Sequence, residues 1–252
     1  MDYGMKNKVV LLSGGGGGTG RHASTLFAKE GVKVVVADIN ETAGKESVEL
    51  AKQAGGEAAF VKCDVLHEEE VAGAVQFALD QYGRLDYAVN IVGLNDKFTG
   101  ITELTKENFD YEIDITLRST FYSMKFEIPA MIKSGGGSII NVGSTASIVG
   151  VLAHGAYTAA EYGLVGMTKS AALDYAKQGI RTNLVCPGVM LSDVLQKRLE
   201  ADSHFGDKLL ADIPLGKFTS QEDVAAVYVF LCSKYAASIT GAVIPMDGGR
   251  SD

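Results

Sequence analysis

The chain has 252 residues, 46% of them apolar, with a net charge of −8 and a pI of about 5.1. That length suits one large α/β domain or two small ones, and the apolar share is ample for a buried core. No Lys/Arg-rich block is present, which argues against nucleic acid or an anionic membrane surface as a partner. The three cysteines, Cys63, Cys186 and Cys232, are far apart and lack Cys-x-x-Cys spacing. Neither a zinc site nor a disulfide framework is indicated, and a reducing compartment is expected. Met1 to Lys8 is short and polar, and nowhere does an apolar run reach the roughly eighteen residues of a membrane span. The expectation is a soluble, cytoplasmic protein.

Strand-length apolar runs alternate with helical patterns along the chain. Residues 9–12 form the first strand, followed by glycines and a helix over about 19–30. A second strand over 32–37 ends in Asp38, and a helix over 41–54 leads to a strand at 58–61. A helix over 68–82, a strand at 87–89, a long helix near 109–132 and a strand at 138–142 follow. The helix carrying Tyr157 runs to about 178; strands at 181–185 and 242–245 close the series, with a helix near 221–231 between them. This alternation demands a mainly parallel sheet with helices on both faces. No repeat or linker divides the chain, so residues 1–252 are expected to form one doubly wound Rossmann domain with a seven-stranded sheet.

The turn Ser13-Gly14-Gly15-Gly16-Gly17-Gly18-Thr19-Gly20 lies between the first strand and the first helix. Glycines permit a tight turn and close backbone approach to a pyrophosphate, which the helix N-terminus then attracts. Gly14, Gly18, Thr19 and Gly20 are the candidate contacts. A flexible glycine loop is the plainer alternative, but the following strand ends in Asp38, where a carboxylate can accept from ribose hydroxyls. Its charge would repel a 2′-phosphate, so NAD is favoured over NADP. Asp38 could equally cap the helix that starts near Glu41.

These features resemble the short-chain dehydrogenase/reductase family over essentially the whole chain. The glycine turn is similar to that family's Thr-Gly-x-x-x-Gly-x-Gly. Asp64 and Val65, after Cys63, resemble its adenine-contacting segment. Asn90 and Gly93 match its Asn-Asn-Ala-Gly motif in part. Asn183 and Cys186-Pro187-Gly188 resemble the stretch that meets the nicotinamide, and Ser192 falls near the threonine that binds the carboxamide. Pro245-Met246-Asp247-Gly248-Gly249 is similar to the family's C-terminal motif. Ser144 and Tyr157, thirteen residues apart, look like its catalytic serine and tyrosine. The resemblance implies that Tyr157 exchanges a proton with the substrate oxygen while Ser144 polarises it. It also implies a mobile substrate lid over about 189–213 and a homodimer or homotetramer.

The family pattern places lysine four residues after the tyrosine; this chain has Glu161. Its relay asparagine falls at Thr116. An ammonium beside Tyr157 would favour tyrosinate, whereas a carboxylate opposes it. At about 5 Å and an effective dielectric of about 20 the pair interacts by roughly 3 kcal/mol, about two pKa units. Tyr157 is then a poor base unless Glu161 is protonated or paired, and a working tyrosinate would show an unusually alkaline limb in the rate of alcohol oxidation. Glu161 reads as a surface charge, as part of a remodelled site, or as a mark of lost activity. His154, three residues before Tyr157, is either a substrate-binding or acid/base group or an exposed loop histidine. The leading expectation is an NAD-dependent oxidoreductase acting on a secondary alcohol or ketone as its small-molecule substrate. A non-redox lyase or isomerase with Glu161 as base, and a catalytically silent partner subunit, are the alternatives.

Overall fold

The structure, a computed structural model, describes residues 2–91, 93, 98–201 and 203–251, with the side chains of 193, 194, 203 and 204 not described. Val92 of the partial Asn-Asn-Ala-Gly match, Asp202 of the 189–213 segment and the His204 side chain thus lie outside the described residues.

Short β-branched runs form β1 (Val9–Ser13), β2 (Lys33–Asp38), β3 (Ala58–Lys62), β4 (Tyr87–Asn90), β5 (Gly137–Val142), β6 (Ile180–Pro187) and β7 (Val243–Met246). Between them lie α1 (Gly18–Lys29), α2 (Glu41–Gln53), α3 (Glu68–Tyr82), α4 (Lys106–Glu112), α5 (Ser119–Lys133), α6 (Gly155–Tyr175), α7 (Asp193–Ala201), α8 (Ser203–Ala211) and α9 (Gln221–Cys232). Among the described residues the seven strands make one sheet in the order β3-β2-β1-β4-β5-β6-β7, and every pairing is parallel. A parallel sheet needs cover on both faces, and alternating side chains supply it. Val10, Leu12, Val34 and Val36 pack with Phe27 of α1 and Tyr228 of α9. Val9, Leu11 and Val35 face the other way, against Val71 of α3 and Met131 of α5. The three cysteines are buried free thiols. No helix among the described residues is long and apolar enough to cross a membrane.

The register sets the strand ends in line: Ser13 lies beside Ala37 and Asn90, and Asn90 beside Asn141. Chain order reverses between β1 and β4, so a crevice opens above their carboxyl ends. Two sequence expectations need correction. The long helix near 109–132 is broken by a π-helical segment, Ile113–Arg118, between α4 and α5. Such wide turns admit an extra residue and recur at functional sites. Asn40, not Asp38, caps α2, its side chain accepting from the Ala43 N–H at 3.1 Å. The segment expected as a lid contains two short helices, α7 and α8.

Candidate active site

The glycine turn is built for a bound group rather than for slack. A Cβ on Gly20 would lie 2.6 Å from the Gly14 carbonyl oxygen, and one on Gly16 would lie 2.8 Å from Asp38 Oδ2. Gly17 and Gly18 differ, because a Cβ on either meets no protein atom within 4 Å. Gly17 brings no side chain to cap α1, so the first turn of that helix keeps its amide N–H groups for an anion. Thr19 presents only backbone there; its hydroxyl lies inward, 3.5 Å from the Tyr228 hydroxyl. Asp38 ties the turn to β2 by accepting from Gly16 N–H and Asn40 N–H, each at 2.8 Å. Beside it lies a pocket of ≈ 330 Å³ bordered by Gly14, Asp38, Asp64, Val65, Ile91 and Gly93. The residues present therefore fit a dinucleotide: an open cradle at a helix N-terminus, with a carboxylate and an apolar slot alongside.

A second crevice of ≈ 700 Å³ lies over β5 and β6, with Ser144, Tyr157, Pro187 and Gly188 on its walls. Phe98, Val149, Val151, Leu152 and Leu209 make much of it apolar. Ser144 follows the end of β5. Its hydroxyl accepts from the Ala146 N–H at 3.0 Å, and its own N–H donates to Ser147 Oγ at 3.1 Å. This reciprocal cap holds Ser144 at the crevice, so its turn role and its site role coexist.

Tyr157 and Glu161 stand one turn apart on α6. Glu161 is only 2% exposed, which eliminates the surface-charge reading. Its Oε2 accepts a 2.6 Å hydrogen bond from Ser147 Oγ. Burial pushes its carboxyl up to about 7, against the lowering effect of hydrogen bonds from Ser147, Tyr157 and the Ser144 backbone. Burial also drives the Tyr157 phenol well above its usual range; the neighbouring Glu161 charge adds to this, and a Ser144 hydrogen bond opposes it. Thr116 is fully buried, and its hydroxyl has no hydrogen-bond partner among the described residues. A Cβ placed on Gly93 would lie 3.8 Å from Thr116 Oγ1 and 4.0 Å from Glu161 Oε1, so these groups converge on one spot.

His154 is not an exposed loop residue. It is buried before the first turn of α6, with Nδ1 2.8 Å from the Leu152 carbonyl oxygen. A carbonyl only accepts, so Nδ1 is the donor in this contact, and Nε2 is buried without a partner among the described residues. The ring meets Phe98 edge-on at 4.3 Å and Tyr157 at 6.2 Å. The side chains of two expected cofactor residues are engaged within the protein. Asn90 is buried beneath the crevice, its amide donating to Glu127 Oε2 at 3.2 Å and Asn141 Oδ1 at 3.1 Å. The Ser192 hydroxyl caps α7, accepting from the Leu195 N–H at 3.2 Å. Asn183 likewise serves the sheet, bonding Ile239 O and the Ala242 N–H.

Residues 15–251 match the family model described as enoyl-(acyl carrier protein) reductase. The chain is 38% identical over 242 residues to a cyclohexanol dehydrogenase of Acinetobacter sp. (strain SE19), covering 96% of this chain and 94% of that one. It is 37% identical over 246 residues to a 2,5-dichloro-2,5-cyclohexadiene-1,4-diol dehydrogenase of Sphingobium indicum, covering 97% of each. The crystal structure of a levodione reductase overlays it with a TM-score of 0.91 at 29% identity, over 98% of both chains. The chain belongs to the short-chain dehydrogenase/reductase family. As a short-chain dehydrogenase/reductase it is an oxidoreductase, in a family that generally uses NAD(P).

Two residues of this site escaped the sequence reading. Ser147 has a visible signal, the Ser-x-x-Ser spacing of a reciprocal cap after a strand. Glu112 interrupts an apolar stripe four residues before Thr116, a spacing that puts both on one helix face. The structure buries it, 7% exposed, beside Tyr157.

Proposed function

We propose that the chain is an NAD(H)-dependent dehydrogenase interconverting an alicyclic secondary alcohol and its ketone, with a carboxyl in place of an ammonium in the proton relay. The observation that carries this reading is the presence of two spaces in one fold: the glycine cradle with Asp38, and the apolar crevice walled by Ser144 and Tyr157. The names of the relatives, a cyclohexanol and a cyclohexadienediol dehydrogenase, support a carbocyclic substrate. Asp38 supports NAD, since its carboxylate repels a 2′-phosphate.

When bound, the nicotinamide supplies the hydride acceptor for oxidation and the donor for reduction. Ser144 donates to the substrate oxygen. Tyr157 takes the substrate proton as its own passes to Glu161. A tyrosine with so high a pKa does not wait as tyrosinate, so the two transfers are coupled and Glu161 is the group whose ionisation matters. For reduction the same path runs backwards, from protonated Glu161 through Tyr157 to the ketone oxygen.

Calorimetric titration with NADH and NADPH, followed by assay with cyclohexanol and substituted cyclohexanols, tests the reading. Micromolar NADH binding, weak NADPH binding and alcohol-dependent formation of reduced nicotinamide are expected. Absence of binding by either dinucleotide, or turnover of substrate with no change in nicotinamide absorbance, defeats it.

A further inference from the structure

The crevice beside Ser144 and Tyr157 is almost wholly uncharged. Phe98, Val149, Val151, Leu152 and Leu209 give it apolar walls, and no Asp or Glu borders it among the described residues. One fixed charge does: Arg250, itself exposed, borders the same space. Its guanidinium has no ion pair among the described residues, in a chain whose net charge is −8.

Local structure fixes where Arg250 stands. After β7 the chain turns through Gly248 and Gly249, with φ of 69° and 86°, values that glycine adopts without a side-chain clash. Asp247, only 5% exposed, closes this turn. Its carboxylate accepts from the Gly249 N–H at 3.0 Å and the Ser251 N–H at 2.9 Å. The Gly248 carbonyl accepts from the Leu215 N–H at 3.0 Å, and a Cβ on Gly248 would lie 2.6 Å from Ile213 Cγ2. On the other side, a Cβ on Gly188 would lie 2.7 Å from Asp247 Cα. The turn is thus pinned between the Pro187–Gly188 wall of the crevice and the segment after α8. An arginine on a slack loop must order the backbone as well as its side chain to hold a ligand; here the backbone is already ordered.

We propose, resting on the dehydrogenase reading above, that Arg250 is a specificity-determining residue that pairs with a carboxylate on the substrate. The crevice then takes alicyclic alcohols and ketones that bear an anionic substituent. Its ≈ 700 Å³ falls within the about 300–1,000 Å³ of small-molecule pockets and leaves room beyond a six-membered ring. Ser144 and Tyr157 engage the reacting oxygen, the apolar walls hold the ring, and the guanidinium meets the remote carboxylate. The planar guanidinium presents paired N–H donors that match the two oxygens of a carboxylate. No carboxylate of the crevice wall competes for it, and a ring that displaces water from the crevice strengthens the attraction.

Calorimetry with cyclohexanecarboxylate and with cyclohexanecarboxamide, its neutral counterpart, tests the pairing without turnover, on the chain with and without saturating NADH. The carboxylate should bind at least about tenfold tighter, and added salt should erode that preference. Arg250→Gln should bring the two affinities within about twofold, and Arg250→Lys should keep part of the difference. In turnover, wild type should oxidise 3-hydroxycyclohexanecarboxylate with kcat/KM at least about tenfold above that for its carboxamide. Arg250→Gln should lose this ratio through a raised KM for the acid, because the pairing is made alike in the ground and transition states. No carboxylate preference in wild type, or a preference that survives in Arg250→Gln, overturns the proposal. Loss of NADH binding in that variant overturns it too, by assigning the guanidinium to the dinucleotide. A wild-type chain that prefers the carboxylate yet oxidises no alcohol defeats the dehydrogenase reading instead and leaves the anion-binding role of Arg250 standing.

Discussion

At the scale of the residue, one substitution changes which group titrates. An ammonium at position 161 would lower the tyrosine and make tyrosinate the working base. The carboxyl that stands there instead is shifted by burial to about 7, near its own half-protonation in neutral solution. A group that must accept a proton works when ionised, so oxidation should rise through about pH 7 and level above it, without the alkaline limb of a tyrosinate. Reduction draws on the protonated form and should fall over the same interval. Glu161→Gln keeps the hydrogen-bonding shape toward Ser147 but cannot ionise. Its oxidation rate is expected to be lower by about 100-fold at pH 8 and flat across neutrality. A pH profile that survives this substitution unaltered would remove Glu161 from the relay.

At the scale of the element, the strand–turn–helix unit around α1 separates folding from binding within four residues. Gly20→Ala drives a methyl into the Gly14 carbonyl and the Gly15 backbone, so the turn itself must open. Overpacking of this kind costs about 1–3 kcal/mol, and NADH affinity should be lost with it. Gly17→Ala puts its methyl into open space, from an extended conformation that alanine adopts freely. The helix cap weakens by no more than about 1 kcal/mol. Thermal denaturation should therefore show little change, while calorimetry shows NADH binding weakened at least about tenfold. Equal losses in both variants would mean that the cradle does not hold the dinucleotide. This unit was also the most legible part of the sequence, because local rules govern it: an apolar run, glycines where a side chain collides, then helix. The parallel sheet with helices on both faces followed from the same alternation. What sequence spacing does not encode is which way a side chain turns inside the assembled fold. Asn90, Asn183 and Ser192 match family positions, yet their side chains bond within the protein. Glu161 and Thr116 could be picked out, but their burial depends on β5, the π-helical segment and Gly93 arriving from distant parts of the chain. The π-helical segment has no mark in a periodicity that looks helical throughout.

At the scale of the whole molecule, two buried carboxyls tie stability to pH. Glu127 on α5 is fully buried between β4 and the neighbouring Asn90–Asn141 pair, which Thr168 of α6 completes by accepting from Asn141 Nδ2 at 2.9 Å. Burial raises Glu127 to about 8, only partly offset by the Asn90 hydrogen bond, and its Oε1 has no partner among the described residues. Both Glu127 and Glu161 bind a proton more tightly folded than unfolded. Their stabilisation is complete below the ordinary glutamate value of 4.5 and is lost as pH rises through about 7 for Glu161 and about 8 for Glu127. Asp86 has the opposite sign. Burial alone would raise it, but hydrogen bonds from Arg84, Lys8 and the Val9 N–H outweigh that and hold it below 3.8. Its contribution is present above the ordinary aspartate range and is lost in acid. The two effects leave a stability maximum in mildly acidic solution. The melting temperature should decline by about 8–16 °C between pH 6 and pH 9, since the two carboxyls together lose about 4 kcal/mol over that interval, at about 2–4 °C per kcal/mol for a chain of this size. Glu127→Gln keeps the neutral shape and removes the titration, so it should flatten that decline and raise the melting temperature above pH 8. A decline of the same size in Glu127→Gln and in wild type would show that Glu127 stays protonated across this range, with Glu161 alone carrying the dependence.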